Sequence, residues 1–519
     1  MPLTPGALSR PLAINYGLRY EFTSVPSGER VQSINAAASV PGLINFSVPQ
    51  PQYKNFAPRI GIVFSPDQKT SIRAGFGIGY DVLYDNLGIL SFPPQFSSTS
   101  DVNGNPGSIQ PLSPNFLKNG GLPAGAGTLA TFPSVAAQRA ATSAYVPNQK
   151  LPYAETYSLS IQRLIGSDYT AEVRYVGTRG IHLTTQTRLN IQSPVDATHF
   201  LPTYTSQPSQ AQLDSLTNTV ANIRAARPAL IPAFAAAGFT RNITSFGPFA
   251  GSNYNALSGS LIRRFHNGLQ LDAAYTWSKT MDNATADVFS TVLTPRRAQD
   301  WQNPGGEYSR SALDRTHRLS IETIYDLPFY KNRNWFLKNL VGNWEVAPIY
   351  TYQSPEYATV TSGIDANLNG DSAGDRTVIN PTGDRNVGSN STALKNSSGV
   401  TVAYLASNPN AYYIRAQSGA LADSGRNTLP IRPIDDLDAT ALKRITFREH
   451  YNLEFQAQAF NVLNHPQFIS GSINQVNSLG DTGANTINFL RPNNGLFNHP
   501  ERVFSSNART MQLGAKFSF

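Results

Sequence analysis

The sequence predicts an all-β protein, an antiparallel transmembrane β-barrel of about twelve long strands with short periplasmic turns and long extracellular loops. Three observations lead there: apolar residues recur with a period of two, the alternating stretches run about ten to fourteen residues, and short connections alternate with long ones.

Strands are expected at 11–23, 55–65, 70–83, 153–165, 168–182, 253–265, 268–280, 313–327, 341–353, 434–447, 450–463 and 508–519. In the first, Leu12, Ile14, Tyr16, Leu18, Tyr20 and Phe22 alternate with Ala13, Asn15, Gly17, Arg19 and Glu21. The third sets Ile72, Ala74, Phe76, Ile78 and Tyr80 against Arg73, Gly75, Gly77, Gly79 and Asp81. In the seventh, Leu269, Leu271, Ala273, Tyr275 and Trp277 face away from Gln270, Asp272, Ala274, Thr276 and Ser278. The eleventh repeats the pattern from Tyr451 to Ala459, and the last sets Met511, Leu513, Ala515, Phe517 and Phe519 against Gln512, Gly514, Lys516 and Ser518. Aromatic strand ends stand out in the seventh (Tyr275, Trp277) and the ninth (Trp344, Tyr350, Tyr352). Strands of soluble domains usually run about five or six residues, whereas a tilted strand needs about nine to eleven to cross a bilayer.

Short turns join strands two and three (65–69), four and five (Gly166-Ser167), six and seven (His266-Asn267), and ten and eleven (Arg448-Glu449). A longer turn, Pro328 to Lys338, joins eight and nine. Between the hairpins lie the segments 24–54, 84–152, 183–252, 281–312, 354–433 and 464–507, rich in Ser, Asn, Gly, Pro and Ala. An even number of strands brings both chain ends to the periplasmic side. Closure matters because hydrocarbon offers backbone N–H and C=O groups no partners.

Composition excludes several alternatives. Cysteine is absent from the 519 residues, which removes disulfide scaffolds, zinc–thiolate sites and thiol catalysis. Charged residues make up only 14% of the chain and hydrophobic ones 40%, so it is polar without being ionic. A mean hydropathy of −0.28 and the lack of a long apolar run speak against membrane helices. They do not speak against a barrel, because alternation averages to nothing over a window. The net charge of +8 suggests nucleic acid, yet the basic clusters Arg263-Arg264 and Arg315 to Arg318 are short and lie in alternating segments, so no nucleic-acid partner is expected. The opening MPLTPGALSRPLAINYG carries early prolines and no apolar core of a signal peptide, so either the chain stays in the cytoplasm or it begins partway into a longer one.

Several stretches resemble the barrel of Oar-like TonB-dependent outer-membrane receptors, which carry a carboxypeptidase-regulatory-like N-terminal domain. They are Asn15 to Glu21, Ala57 to Gly61, Tyr153 to Arg163, Tyr175-Val176-Gly177 with Gly180 to Leu183, and Tyr275 to Lys279 with Asp282-Asn283. Asp314 to Arg318, Gly425 to Leu429 and Phe460 to Pro466 follow in order. The resemblance implies a barrel of 22 strands, of which this chain supplies the C-terminal portion as a single region, 1–519. It also implies a signal peptide, a plug and a TonB box in a front half that this chain lacks, so the chain is expected to be a fragment. Implied partners are outer-membrane lipid, the barrel-assembly machinery, the TonB system acting through the plug, and an unknown extracellular ligand. The expected function is uptake of a large nutrient or binding of that ligand. A barrel-anchored adhesin and a passive porin are the alternatives.

Candidate residues follow. Arg19, Glu21, Arg59, Arg73, Asp81, Glu172, Arg174, Asp272, Arg318, Glu322, Glu345 and Glu454 fall on the polar face, where a lumen wall accommodates both signs of charge and a plug could pair with some of them. Phe517 and the terminal Phe519 resemble the signal read by the barrel-assembly machinery. Asp365, Asn367, Asn369, Gly370 and Asp371 reproduce the start of a calcium loop, but Arg376 stands where a bidentate Glu belongs and Asp375 is one position early, so an Asn/Asp-rich turn is the expected reading. The seven His have no metal-pair spacing and no G-x-S-x-G elbow occurs. His317 is expected to make a structural hydrogen bond. No enzyme activity, cofactor or resident metal is expected.

Overall fold

The computed structural model describes residues 11–25, 31–82, 118, 134–284, 294–295, 297–447, 451–468, 487–504 and 506–519. Twelve long strands form one antiparallel sheet in chain order. They are β1 (Leu12–Tyr20), β2 (Phe56–Asp67), β3 (Thr70–Tyr80), β4 (Tyr153–Ile165), β5 (Tyr169–Arg188) and β6 (Thr244–His266). Then come β7 (Leu269–Asp282), β8 (His317–Asp326), β9 (Trp344–Gln353), β10 (Ile434–Phe447), β11 (Tyr451–Phe460) and β12 (Thr510–Ser518). All twelve coincide with expected strands, and β4 and β10 match them end to end. The expected strand termini at 83 and 450, and most of segment 84–152, lie outside the described residues. No helix among the described residues is long and apolar enough to cross a membrane.

Two kinds of local chemistry set this register. Between β6 and β7 the turn is Asn267-Gly268, both at positive φ (51° and 79°), the combination a two-residue hairpin of right-handed twist demands. On the outer face Tyr157 of β4 lies opposite Gly177 of β5, and its ring fills the space a Cβ would take. That explains the glycine in the Tyr175-Val176-Gly177 stretch. Ile72, Ile161 and Val173 line up across β3 to β5, and Leu261 of β6 faces Ala171 two residues along, so the apolar positions of neighbouring strands share one face. Many of the large apolar side chains on that face are exposed, Trp277 by 56%. In water such a surface would be unfavourable by about 25 cal/mol for each Å² of apolar area. Hydrocarbon removes the penalty.

β1 and β12 end the path, each with one long-strand neighbour among the described residues. Every residue in both is exposed.

The long connections are where sequence reasoning fell short, because segments expected only as polar loops contain packed structure. β5 and β6 run on to 188 and back from 244, with register shifts around Leu183 and Thr185. Segment 183–252 adds helices α1 (Gln210–Asp214), α2 (Val220–Ala226) and α3 (Pro232–Ala236). Ser209 and Thr219 start the first two with reciprocal capping boxes. Segment 354–433 folds into two small three-stranded sheets, one of which borrows Thr203–Tyr204 from the other segment. Together they bury Val195, Leu201, Ile223, Leu368, Tyr404 and Ala420 in a common core. A second core gathers Val360, Tyr413, Leu429, Phe489 and Phe497.

Candidate functional site

Cross-strand partners share a face, so the register locates the polar residues directly. Gly17 of β1 faces Arg59, which faces Gly77 of β3. Arg73 faces Ser160, and Ser160 faces Arg174. Asp272 faces Glu322, Glu345 faces Asp326, and Glu454 faces Arg444. By this alternation Arg19, Arg59, Arg73, Glu172, Arg174, Asp272, Arg318, Glu322, Glu345 and Glu454 lie on one side of the sheet, opposite the apolar face. Glu21 and Asp81 continue the alternation one residue past β1 and β3, where their N–H groups bond Asn55 and Pro152.

Some of these charges meet and others do not. Arg19 pairs with Glu21 at 2.5 Å and Arg174 with Glu172 at 2.7 Å. Glu345 and Glu454 converge on Arg444, at 2.9 and 3.2 Å, with Asp326 at 3.7 Å. Arg59, Arg73, Asp81, Asp272, Arg318 and Glu322 make no ion pair among the described residues. Sequence reasoning missed Arg444 and Asp326. Arg444 lies in the expected strand 434–447, in step with Asp436 and Asp438, and that parity could have revealed it.

At the upper rim a buried ionic network joins the strands to the folded loops. Arg426 contacts the carboxylate of Asp282, the last residue of β7, and donates from Nε to the Glu307 carbonyl at 3.1 Å. Glu307 also receives Arg376 at 2.8 Å. Each of these four groups is nearly inaccessible to water. Asp314 accepts from Thr280 N–H at 2.6 Å and pairs with Arg310 at 3.0 Å, while Arg315 pairs with Glu356. His317 sits 2.8 Å from the Tyr275 hydroxyl, and its N–H donates to Ser354 Oγ at 2.9 Å, the structural role expected of it. Asn461, at positive φ, bridges His465 and Asn507, each at 2.9 Å. The resemblance-bearing stretches 282–283, 314–318, 425–429 and 460–466 therefore converge on the seam between the strands and the upper module. Beside the network lies a cavity of about 260 Å³ lined by Gln186, Phe249, Trp301, Glu307 and Arg426.

The calcium-like loop lies in this module. Asn367 and Asn369 donate their amides to the Gln299 carbonyl at 2.5 and 3.1 Å. Asp365 Oδ2 accepts from Gly370 N–H at 2.9 Å, and Asp371 pairs with Arg188 and Arg297 at 3.2 and 3.0 Å. Asp375 is pushed up to about 8, by burial first and then by the neighbouring Asp365 and Asp371, against the opposing N–H groups of Ala366 and Asn367. No group of three or more His, Asp or Glu side chains among the described residues is placed to hold a metal. Phe519 is exposed, its ring 6.0 Å from that of Phe517, which stacks on Tyr451.

Long antiparallel strands with an apolar outer face, a charged opposite face, tight turns at one end and large folded connections at the other define an outer-membrane β-barrel protein. The chain belongs to the family described as Outer membrane beta barrel domain, which matches residues 7–502. Its place is the outer membrane. No curated protein matches. Among solved structures it is similar to the outer membrane transporter YddB from Escherichia coli, at 10% identity and a TM-score of 0.35, over 90% of this chain and 40% of that one. It is also similar to the FrpB iron transporter from Neisseria meningitidis, at 9% identity and a TM-score of 0.40, over 98% of this chain and 43% of that one. The pyoverdine outer membrane receptor FpvA from Pseudomonas aeruginosa is 9% identical, with a TM-score of 0.36, over 90% of this chain and 36% of that one. The chain thus spans less than half the length of each of these three.

Proposed function

We propose that the chain is the C-terminal barrel portion of a TonB-dependent outer-membrane receptor, which captures a large extracellular ligand or nutrient and passes it inward. The observation that carries this reading is the packed module at the upper rim, with its cavity beside Arg426 and Glu307. A polar pore needs no such module, and a receptor needs a preformed surface for its ligand. Among the described residues β1 and β12 have no second long-strand neighbour, which supports a larger barrel whose remaining strands would complete the backbone pairing that hydrocarbon requires. In that barrel the unpaired Arg59, Arg73, Asp272, Arg318 and Glu322 line the substrate path or meet the plug, through which the TonB system acts. Phe517 and Phe519 carry the signal for the assembly machinery.

Replacing the gene with a version lacking 183–252 and growing the strain on a panel of polymeric nutrients and chelated iron sources tests the proposal. A defect on one source, reproduced by removing TonB, is the expected result. Normal growth on every source with lost surface attachment would favour the adhesin and overturn it.

A further inference from the structure

The loop from Asp365 to Asp375 contains three buried carboxylate oxygens with no hydrogen-bond donor, Asp365 Oδ1, Asp371 Oδ2 and Asp375 Oδ1, of which only Asp371 Oδ2 has a guanidinium beside it, Arg188 at 3.2 Å. Asp375 is wholly inaccessible, at 0% exposure. It reaches into the loop, where its Oδ2 accepts from Ala366 N–H at 2.6 Å. Cations nearby are engaged elsewhere: Arg376 with Glu307, Arg188 and Arg297 with Asp371. Buried carboxylate oxygens left without donors are unfavourable, so a positive group belongs beside Asp365 Oδ1 and Asp375 Oδ1.

The neighbouring amides are already oriented. Because Asn367 and Asn369 give their nitrogens to the Gln299 carbonyl, their oxygens turn into the loop, where they accept from Asn369 and Asp371 N–H at 3.0 and 2.8 Å. The mismatch at position 376 also resolves. Arg376 turns away to Glu307, and Asp375 supplies the inward carboxylate from the position before it.

We propose that this loop binds one calcium ion, ligated by Asp365, Asp375 and the amide oxygens of Asn367 and Asn369, with backbone carbonyls or water completing the shell. Calcium suits the donor set, since it accepts carboxylate, amide and backbone oxygens in a flexible shell of six to eight. Asp371 is not a ligand in this arrangement, because two arginines hold it. The ion would fix the module on the strand ends from outside, with a Kd of about 10⁻⁴–10⁻³ M, the range of extracellular calcium modules.

The test is calorimetric titration of the full chain in detergent with calcium chloride, combined with limited proteolysis of 354–433 in calcium or EGTA. Saturable binding of one equivalent and slower cleavage in calcium are expected. Asp365→Asn and Asp375→Asn should each weaken binding at least tenfold, while Asp384→Asn, at the exposed start of the separate strand Asp384–Ser389, should not. Should Asp375→Asn fail to fold, the less buried Asp365→Asn carries the comparison. Absent heat with identical cleavage in calcium and EGTA would overturn the proposal, and so would unchanged binding by Asp365→Asn.

Discussion

The membrane wall and the upper module are built on opposite rules from one chain. In the wall, large apolar side chains such as Leu159, Ile161, Val173 and Trp277 point outward and are exposed, and ladder hydrogen bonds hold the strands together. In the module, Leu201, Tyr413, Phe239 and Phe489 are enclosed, and a side-chain network centred on Arg426 holds segments more than a hundred residues apart. The difference teaches that solvent, rather than composition, decides which way a side chain turns. A wall facing hydrocarbon needs its backbone satisfied first, and a module facing water needs a core.

The largest expected effect falls on the module. Arg426→Ala removes the cation beside the buried carboxylates of Asp282 and Glu307, and a loss of about 3–5 kcal/mol is expected from breaking a buried ion pair. Proteolysis should then open 354–433 while strand-resistant fragments persist. Equal resistance of both regions would break the contrast.

Next comes the wall. Leu159→Arg, on the outer face, should cost about 2–4 kcal/mol near the bilayer midplane, whereas Gln162→Arg, opposite Glu172 on the polar face, should stay within about 0.5 kcal/mol. Urea unfolding in lipid vesicles measures both, and a reversed order would place the faces the wrong way round.

A smaller effect is expected at the periplasmic turn. Trp335 donates to the Thr446 carbonyl at 3.0 Å and packs on Phe447, so Trp335→Ala should cost about 1 kcal/mol in the same assay. The smallest stability effect belongs to Phe519, 93% exposed. Its deletion should leave the unfolding midpoint unchanged while lowering the amount assembled in cells. A shifted midpoint with normal assembly would reverse that assignment.

Strand positions were legible because a two-residue period over ten or more residues is hard to produce otherwise, and the lipid face makes a register slip costly. The polar-face residues were legible for the same reason, since parity along one strand fixes the side. The module was not. Its helices run five to seven residues and most of its strands two to six, too short for a period to declare itself. Its ionic partners are distant in sequence: nothing near Asp282 announces Arg426. The stretches containing those residues could be recognised as motifs, but not what they hold together. The calcium-like loop shows the same limit, because Asp375 looked misplaced until Arg376 was seen to turn toward Glu307.

The central claim, that strands cross the outer membrane with the module outside, has a direct test because the chain has no cysteine of its own. Single cysteines at Ser398, exposed in the module, and at Gln68, in the β2–β3 turn, can be probed in intact cells with a membrane-impermeant maleimide. The account predicts labelling at Ser398 in intact cells and at Gln68 only after the outer membrane is permeabilised. Labelling at Gln68 in intact cells, or protection of Ser398, would contradict it.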